Sequence, residues 1–256
     1  MLTRVDHVMV CVTDLEPGIE AYRRLGFNIH PGGVHTGRGT HNAIAFFEED
    51  YLEVMGVRDR QEYLSSAGPG GGLLEFLSHG DGLRFVIVQS DDLGADVAAM
   101  RRRGVEVGEP SEGGRRTPAG HELRWKMAVL GPAHPLPVLD VAAAAKAYSQ
   151  VLGVPVPPIQ RGAVIKADMA VFDLGPTGLT VAQPAEPGPA AEALRRRGPG
   201  PFQVLYRTSS MDGAARWMAD HGVPPPARGV RNTGEQAMLV SPEHACGTYI
   251  GFVGPA

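Results

Sequence analysis

The sequence predicts an α+β fold built from four tandem βαβββ modules. Two observations lead there. Four segments share one layout: Asp14-LEPGIEAYRRL-Gly26, Asp92-LGADVAAMRRR-Gly104, Asp140-VAAAAKAYSQVL-Gly153 and Ser210-MDGAARWMADH-Gly222. Each places a polar N-cap residue before a short helix and a glycine at its left-handed C′ end. Strand-like runs flank each of these helices, and four such units in register are the sequence signature of an internal repeat.

Taken in chain order, the first unit opens with Val5-Asp6-His7-Val8-Met9-Val10-Cys11-Val12, a run of β-branched and apolar residues. Its helix follows Asp14, and FNIHPG is a short extended piece after Gly26. Asn42-AIAFF and Tyr51-LEVMGV then form a hairpin turned by Glu48-Glu49-Asp50. The second unit has strand-like residues around Arg84 and Phe85, a helix from Asp92 and the strand Glu122-LRWKMAVL. The third has its helix from Asp140 and the strands Met169-AVFDL and Leu179-TVAQ. The fourth has a strand at Gln203, a helix from Ser210 and the strands Gln236-AMLVS and Gly247-TYIGFV. Linkers read at Ser65-SAGPGGGLL, Gly131-PAHPLP and Pro184-AEPGPAAEALRRRGPGP. The glycines at 68 and 70–72 lack the Lys-Ser/Thr that follows a phosphate-binding loop, so linker is the better reading. The division expected from this layout is 1–131 and 132–256.

Composition narrows the function. Hydrophobic content of 43% and charged content of 20% are those of a globular protein. A net charge of −4 leaves no basic footprint for nucleic acid. The triplets Arg101-Arg102-Arg103 and Arg195-Arg196-Arg197 fall at helix ends, where cations complement the dipole. No signal-peptide pattern or membrane-length apolar run is present, and two cysteines make no disulfide framework, so a reduced, cytoplasmic protein is expected. No HExxH, nucleophile elbow or dinucleotide fingerprint occurs, which removes zincin, hydrolase and Rossmann readings.

The βαβββ repeat resembles the vicinal oxygen chelate superfamily, the glyoxalase/bleomycin-resistance/extradiol-dioxygenase group. The segment His35-TGRGTHNAIAFFEEDYLEVMGVRD is similar to the His-x-Gly-x-Gly-Thr-x-Asn … Tyr-Leu-Glu pattern of its glyoxalase-like domain subgroup. Arg115-RTPAGHELRW is similar to that subgroup's Arg-x-x-Pro-Asp-Gly-x-x-x-x-Trp, with Ala119 where Asp is usual. The resemblance implies two curved, cup-like mixed sheets with helices outside. The first domain (1–131) carries the motifs, and the second (132–256) is degenerate.

In metal-dependent members of the superfamily, ligands sit on the first and last strands of a module. Carried over, these positions are His7 and Glu53, with Gln203 as a third. The resemblance thus implies a divalent ion (Zn, Ni, Mn or Fe), with Glu53 also catalytic. Phe85, Thr180 and Gly251 stand where other ligands would be, and His134 lies one residue out of phase. By residue type alone, His7 is a core histidine or a ligand aimed into a cavity. Glu53 is harder to explain without a role, since a carboxylate on an aromatic, apolar strand face is costly unless paired or coordinated.

His35, His41, Asn42, Arg116 and Trp125 are the candidate substrate-binding residues. Each has an ordinary reading beside it: solvated loop histidines, a turn-closing Asn, an arginine paired with a surface acid, and a core tryptophan. The functional expectation is lyase or isomerase chemistry on a small carbonyl or vicinal-oxygen compound. An oxygenase ranks lower because only His7 is well placed among histidines. The alternative is a metal-free protein that binds or sequesters a small molecule, as bleomycin-resistance proteins do. The expected partner is a small molecule, with neither nucleic acid nor membrane, and a homodimer is among the expected assemblies.

Overall fold

The computed structural model describes residues 2–66, 72–131, 140–231 and 233–255. The first segment is β1 (Leu2–Val12), α1 (Leu15–Arg24), β2 (Ile29–His35), β3 (Thr40–Phe46) and β4 (Tyr51–Val57), followed by α2 (Arg60–Ser65) and α3 (Leu73–Ser78). The second is β5 (Gly82–Ser90), α4 (Leu93–Arg102), β6 (Ser111–Arg116) and β7 (Glu122–Met127). The third is α5 (Val141–Leu152), β8 (Ile159–Gly162), β9 (Ala167–Leu174) and β10 (Thr177–Pro184), followed by α6 (Pro189–Arg197). The fourth is β11 (Gln203–Arg207), α7 (Met211–Asp220), β12 (Arg228–Val230), β13 (Gln236–Val240) and β14 (Tyr249–Gly254). The first and fourth are complete βαβββ units. Among the described residues the second shows three strands, and the third shows none before its helix. His134, most of the glycine-rich run (67–71) and the second linker from 132 lie outside the described residues.

The repeat rests on its caps. Asp14, Asp92, Asp140 and Ser210 each accept a backbone N–H from the first turn of their helix. Gly26, Gly104, Gly153 and Gly222 all hold positive φ, where a side chain would be strained.

The chain forms two compact units. One comprises residues 7–86, 115–123 and 201–256, and so holds the first and fourth segments. The other comprises 1–6, 87–114 and 124–200, and holds most of the second and third. In the first-named unit β1, β4, β3 and β2 are neighbours in that order, and β11, β14, β13 and β12 repeat the order. The pairs β1/β4 and β11/β14 are parallel, and the remaining pairs within each set are antiparallel.

One face of the first set packs on α1. Val10, Val12, Leu52 and Val54 are fully buried there, and Gly18 lets the helix approach Val12 and Val54 closely. The same unit contains a shared aromatic core. Phe27 meets Tyr206 at 5.0 Å and Phe252 at 5.9 Å, and Tyr22 donates to the Ala245 carbonyl. Burying side chains of this size stabilises by about 1.5–3 kcal/mol each. The other unit has its own cluster of Val97, Met100, Val105, Val107 and Val151. There Arg103 donates to the Gln150 and Val151 carbonyls at the end of α5.

Candidate active site around Glu53

The face of β1–β4 opposite α1 carries the polar residues. Parallel pairing sets His7 beside Tyr51 and Met9 beside Glu53. Antiparallel pairing sets Phe46 beside Tyr51, Ile44 beside Glu53 and Asn42 beside Met55. Alternation along each strand puts all of these on one side.

Glu53 is 4% exposed. Its Oε1 accepts a hydrogen bond from Asn42 Nδ2 at 2.7 Å, and its Oε2 lies 3.4 Å from His7 Nε2. The His7 ring stacks on Tyr51 with centroids 4.2 Å apart. From β2, His35 brings Nε2 to 3.8 Å from Glu53 Oε1, while its Nδ1 lies 2.8 Å from Thr40 Oγ1. Burial lowers the His35 pKa from its ordinary value, against the opposing effect of the Glu53 carboxylate. His35 is therefore neutral at neutral pH, and Glu53 is buried among polar partners with no arginine or lysine bonded to it among the described residues.

A bulge in β2 shapes this corner, the register shifting between Pro31 and Gly33. A Cβ at Gly32 would collide with Asn42 Oδ1 and crowd Ile44 Cδ1, and Gly33 holds positive φ against the Arg116 carbonyl. Arg115 Nη1 donates to the Gly32 carbonyl and so ties β6 to the bulge. The bulge brings the Gly32 backbone close against the Asn42 amide, whose Oδ1 is buried there without a hydrogen-bond partner among the described residues.

Of the sequence candidates, His7, His35, Asn42 and Glu53 converge. His41 alternates with Asn42 on β3 and lies beside Gly56 on the α1 side, its pKa lowered by burial and by Arg58. Arg116 pairs with Glu122 at the surface (Nε–Oε1 2.8 Å), which is its ordinary reading. Trp125 lies over Gly113 in the other compact unit. Gln203 stands opposite Tyr249 on β11, in a different sheet from His7 and Glu53. Sequence reasoning missed Thr40 and Arg115. The signal for Thr40 is its place five residues after His35, across the turn that joins β2 to β3. The signal for Arg115 is absent from one sequence, because only the pairing of Val34 with Arg116 decides which of two adjacent arginines faces Gly32.

A divalent ion, the group the superfamily typically uses, needs about three protein donors. His7 Nε2 and Glu53 Oε2 stand at the spacing of two ligands on one ion. His35 Nε2 instead faces the other carboxylate oxygen, already taken by Asn42. Among the described residues no group of three or more His, Cys, Asp or Glu could hold a metal ion. His7, His35 and Glu53 as placed do not by themselves make a complete metal centre. No helix among those described is long and apolar enough to cross a membrane.

Comparison with known proteins agrees with the topology. A model of the glyoxalase-like domain matches residues 5–139, and a model of the Glyoxalase/Bleomycin resistance protein/Dioxygenase superfamily matches residues 136–240. A mutant of 4-hydroxymandelate synthase from Streptomyces coelicolor superposes with a TM-score of 0.65 at 13% identity, over 100% of this chain and 93% of that one. A xylose isomerase-like TIM barrel/4-hydroxyphenylpyruvate dioxygenase fusion protein gives 0.58 at 10% identity, over 99% of this chain and 49% of that one. At such identities the likeness is one of fold. No curated protein sequence matches this one. With the glyoxalase-like model spanning more than half of the chain, and the histidine, asparagine and glutamate of its motifs gathered around one buried carboxylate, the protein belongs to the glyoxalase-like domain family of the vicinal oxygen chelate superfamily.

Proposed function

We propose that this protein is an enzyme of lyase or isomerase type, in which Glu53 moves a proton at the carbon beside a carbonyl of a small substrate. The observation that carries this reading is the carboxylate itself. It is buried, has no arginine or lysine bonded to it among the described residues, accepts a hydrogen bond from one amide and has two imidazoles beside it. Such a group costs folding free energy, and groups of this kind cluster at functional sites. Asn42 fixes the rotation of the carboxylate through Oε1. Oε2 is left beside His7 as the oxygen that takes the proton from carbon. The C–H electron pair passes to the carbonyl, giving an enolate; on a 2-hydroxy ketone the hydroxyl proton then moves to the former carbonyl oxygen, and the C–H proton returned to the former carbonyl carbon completes the isomerisation. His7 Nε2 stands next to Oε2 and is placed to stabilise or protonate the enolate oxygen. Thr40 holds His35 in one orientation behind Oε1.

A second reading, a metal-free binding or sequestering protein of the same fold, is favoured by the fourth segment, where Gly251 stands in place of Glu53 and Ala237 in place of Asn42. The two are separated by incubating the protein with small 2-hydroxy ketones and 2-oxo acids in D2O and following deuterium uptake at the carbon beside the carbonyl by proton NMR. Exchange in the wild type that Glu53→Gln abolishes supports the enzyme. Tight binding without exchange supports the binder. Metal analysis of untagged protein tests the donor set. About one equivalent of ion, lost in both His7→Ala and Glu53→Ala, would overturn the metal-free proton step.

A further inference from the structure

Beside Glu53 runs a row of three rings. His7, Tyr51 and Phe46 pair directly across β1, β4 and β3, one row from Glu53. His7 and Tyr51 are nearly parallel at 13°, and Tyr51 meets Phe46 with centroids 5.7 Å apart and planes at 50°. The row is graded in exposure. The His7 side chain is mostly buried beside the carboxylate, Tyr51 is half-buried, and Phe46 is 66% exposed. On the other side of Glu53 the face is closed. Cys11 and Met55 are covered by Leu73 of α3, with Met9, Tyr63, Phe76 and Leu77 packed around them. Along the strand direction, the more open side of Glu53 is therefore the aromatic row.

From this we infer that the substrate is an aryl-substituted carbonyl compound, its ring seated on Phe46 and Tyr51 and its carbonyl end at Glu53. The inference rests on the proton-transfer reading for the role of the carbonyl end, while the ring preference stands on the row alone. Side chains standing next to one another on neighbouring strands present their edges to a ligand, and an aromatic ring meets such edges in the favourable edge-to-face arrangement. A branched aliphatic group of similar polarity gains the apolar burial without that geometry.

The test compares benzoylformate with 3,3-dimethyl-2-oxobutanoate. Both are 2-oxo acids with no hydrogen on the carbon beside the ketone, so binding is read without turnover. Isothermal titration of the full chain should show benzoylformate tighter by about tenfold. Phe46→Ala, a change at an exposed side chain that the fold tolerates, should bring the two within about threefold. Glu53→Gln should keep the ring preference. Equal affinities in the wild type, or no benzoylformate binding at about 10 mM, would overturn the inference. A ring preference that survives while the D2O exchange experiment fails would remove the enzymatic reading and leave an aryl-binding site.

Discussion

In the first segment the order β1-β4-β3-β2 carries His7, Tyr51 and Glu53. In the fourth the same order, β11-β14-β13-β12, carries Gln203, Tyr249 and Gly251 at the matching register. The correspondence extends further: Asn42 opposite Met55 has its counterpart in Ala237 opposite Val253. One backbone thus holds a buried polar cluster on one side and an apolar patch on the other. The difference teaches that the cluster is a set. A buried carboxylate requires its hydrogen-bonding partners, and where the carboxylate is glycine the amide that would hold it is alanine. Leu205 leans over Gly251 and occupies the space that a side chain there would take.

The largest effect expected from this asymmetry is on turnover. Glu53→Gln keeps the shape and the bond to Asn42 but cannot accept a proton from carbon. It should reduce activity roughly 10²–10⁴-fold with the circular dichroism spectrum unchanged. Gln203→Ala, at the position matching His7, should change activity by less than about twofold. A comparable loss from Gln203→Ala would show that the two segments act on one centre and would break the contrast.

How much of this the sequence reveals follows the reach of the interactions. Caps are local: Asp14, Asp92, Asp140 and Ser210 and the glycines that end their helices are legible because each acts within a few residues of its own chain. The convergence of His7 with Glu53 was legible too, since strand alternation and a family resemblance both place them on one face. The grouping of the first segment with the fourth was not, because it depends on contacts such as Phe27 with Phe252 across more than two hundred residues. Nor was the separation of His41 from Asn42. Adjacent residues on a strand face opposite ways, and only the register of β3 on β4 fixes which of them meets Glu53.

The next effect is on stability, and it centres on the bulge in β2. Asn42→Ala leaves Glu53 Oε1 without its donor in a buried site, and Gly32→Ala drives a Cβ into the Asn42 amide. Each should cost about 1–3 kcal/mol in urea denaturation. Gly32→Ala should lower activity along with Asn42→Ala, because it acts through the same amide. If Gly32→Ala were neutral in both measurements, the bulge would not be what positions Asn42.

A smaller effect concerns pH. The His35 pKa is lowered in the folded protein by burial, while the unfolded chain keeps the ordinary 6.5. The unfolded state therefore binds the proton first as pH falls. The stability contributed by neutral His35 is complete above about pH 6.5 and is lost as the pH drops below it toward the folded value. His41, lowered by the same cause, acts in the same direction. Amide exchange should show β2–β4 losing protection between about pH 6.5 and 5 before β13 and β14 do. His35→Gln should flatten that dependence. Parallel loss in both regions would place the titration elsewhere.

The smallest effect is expected where the fourth segment has glycine. Gly251→Ala places its Cβ against Leu205 Cδ2, the far end of a side chain that is 45% exposed and has room to turn. The rotamer change costs about 0.5–1.5 kcal/mol. The reduced freedom of the unfolded chain returns about 0.4–1 kcal/mol. The two nearly cancel, so the variant should lie within about 0.5 kcal/mol of wild type, in contrast to the same Gly→Ala change at residue 32. Gly251 is then a position where a side chain is dispensable rather than forbidden, and the absence of a second carboxylate reflects the lack of partners to hold one. A loss as large as that of Gly32→Ala would instead mean that the fourth segment is closed to any side chain by its packing.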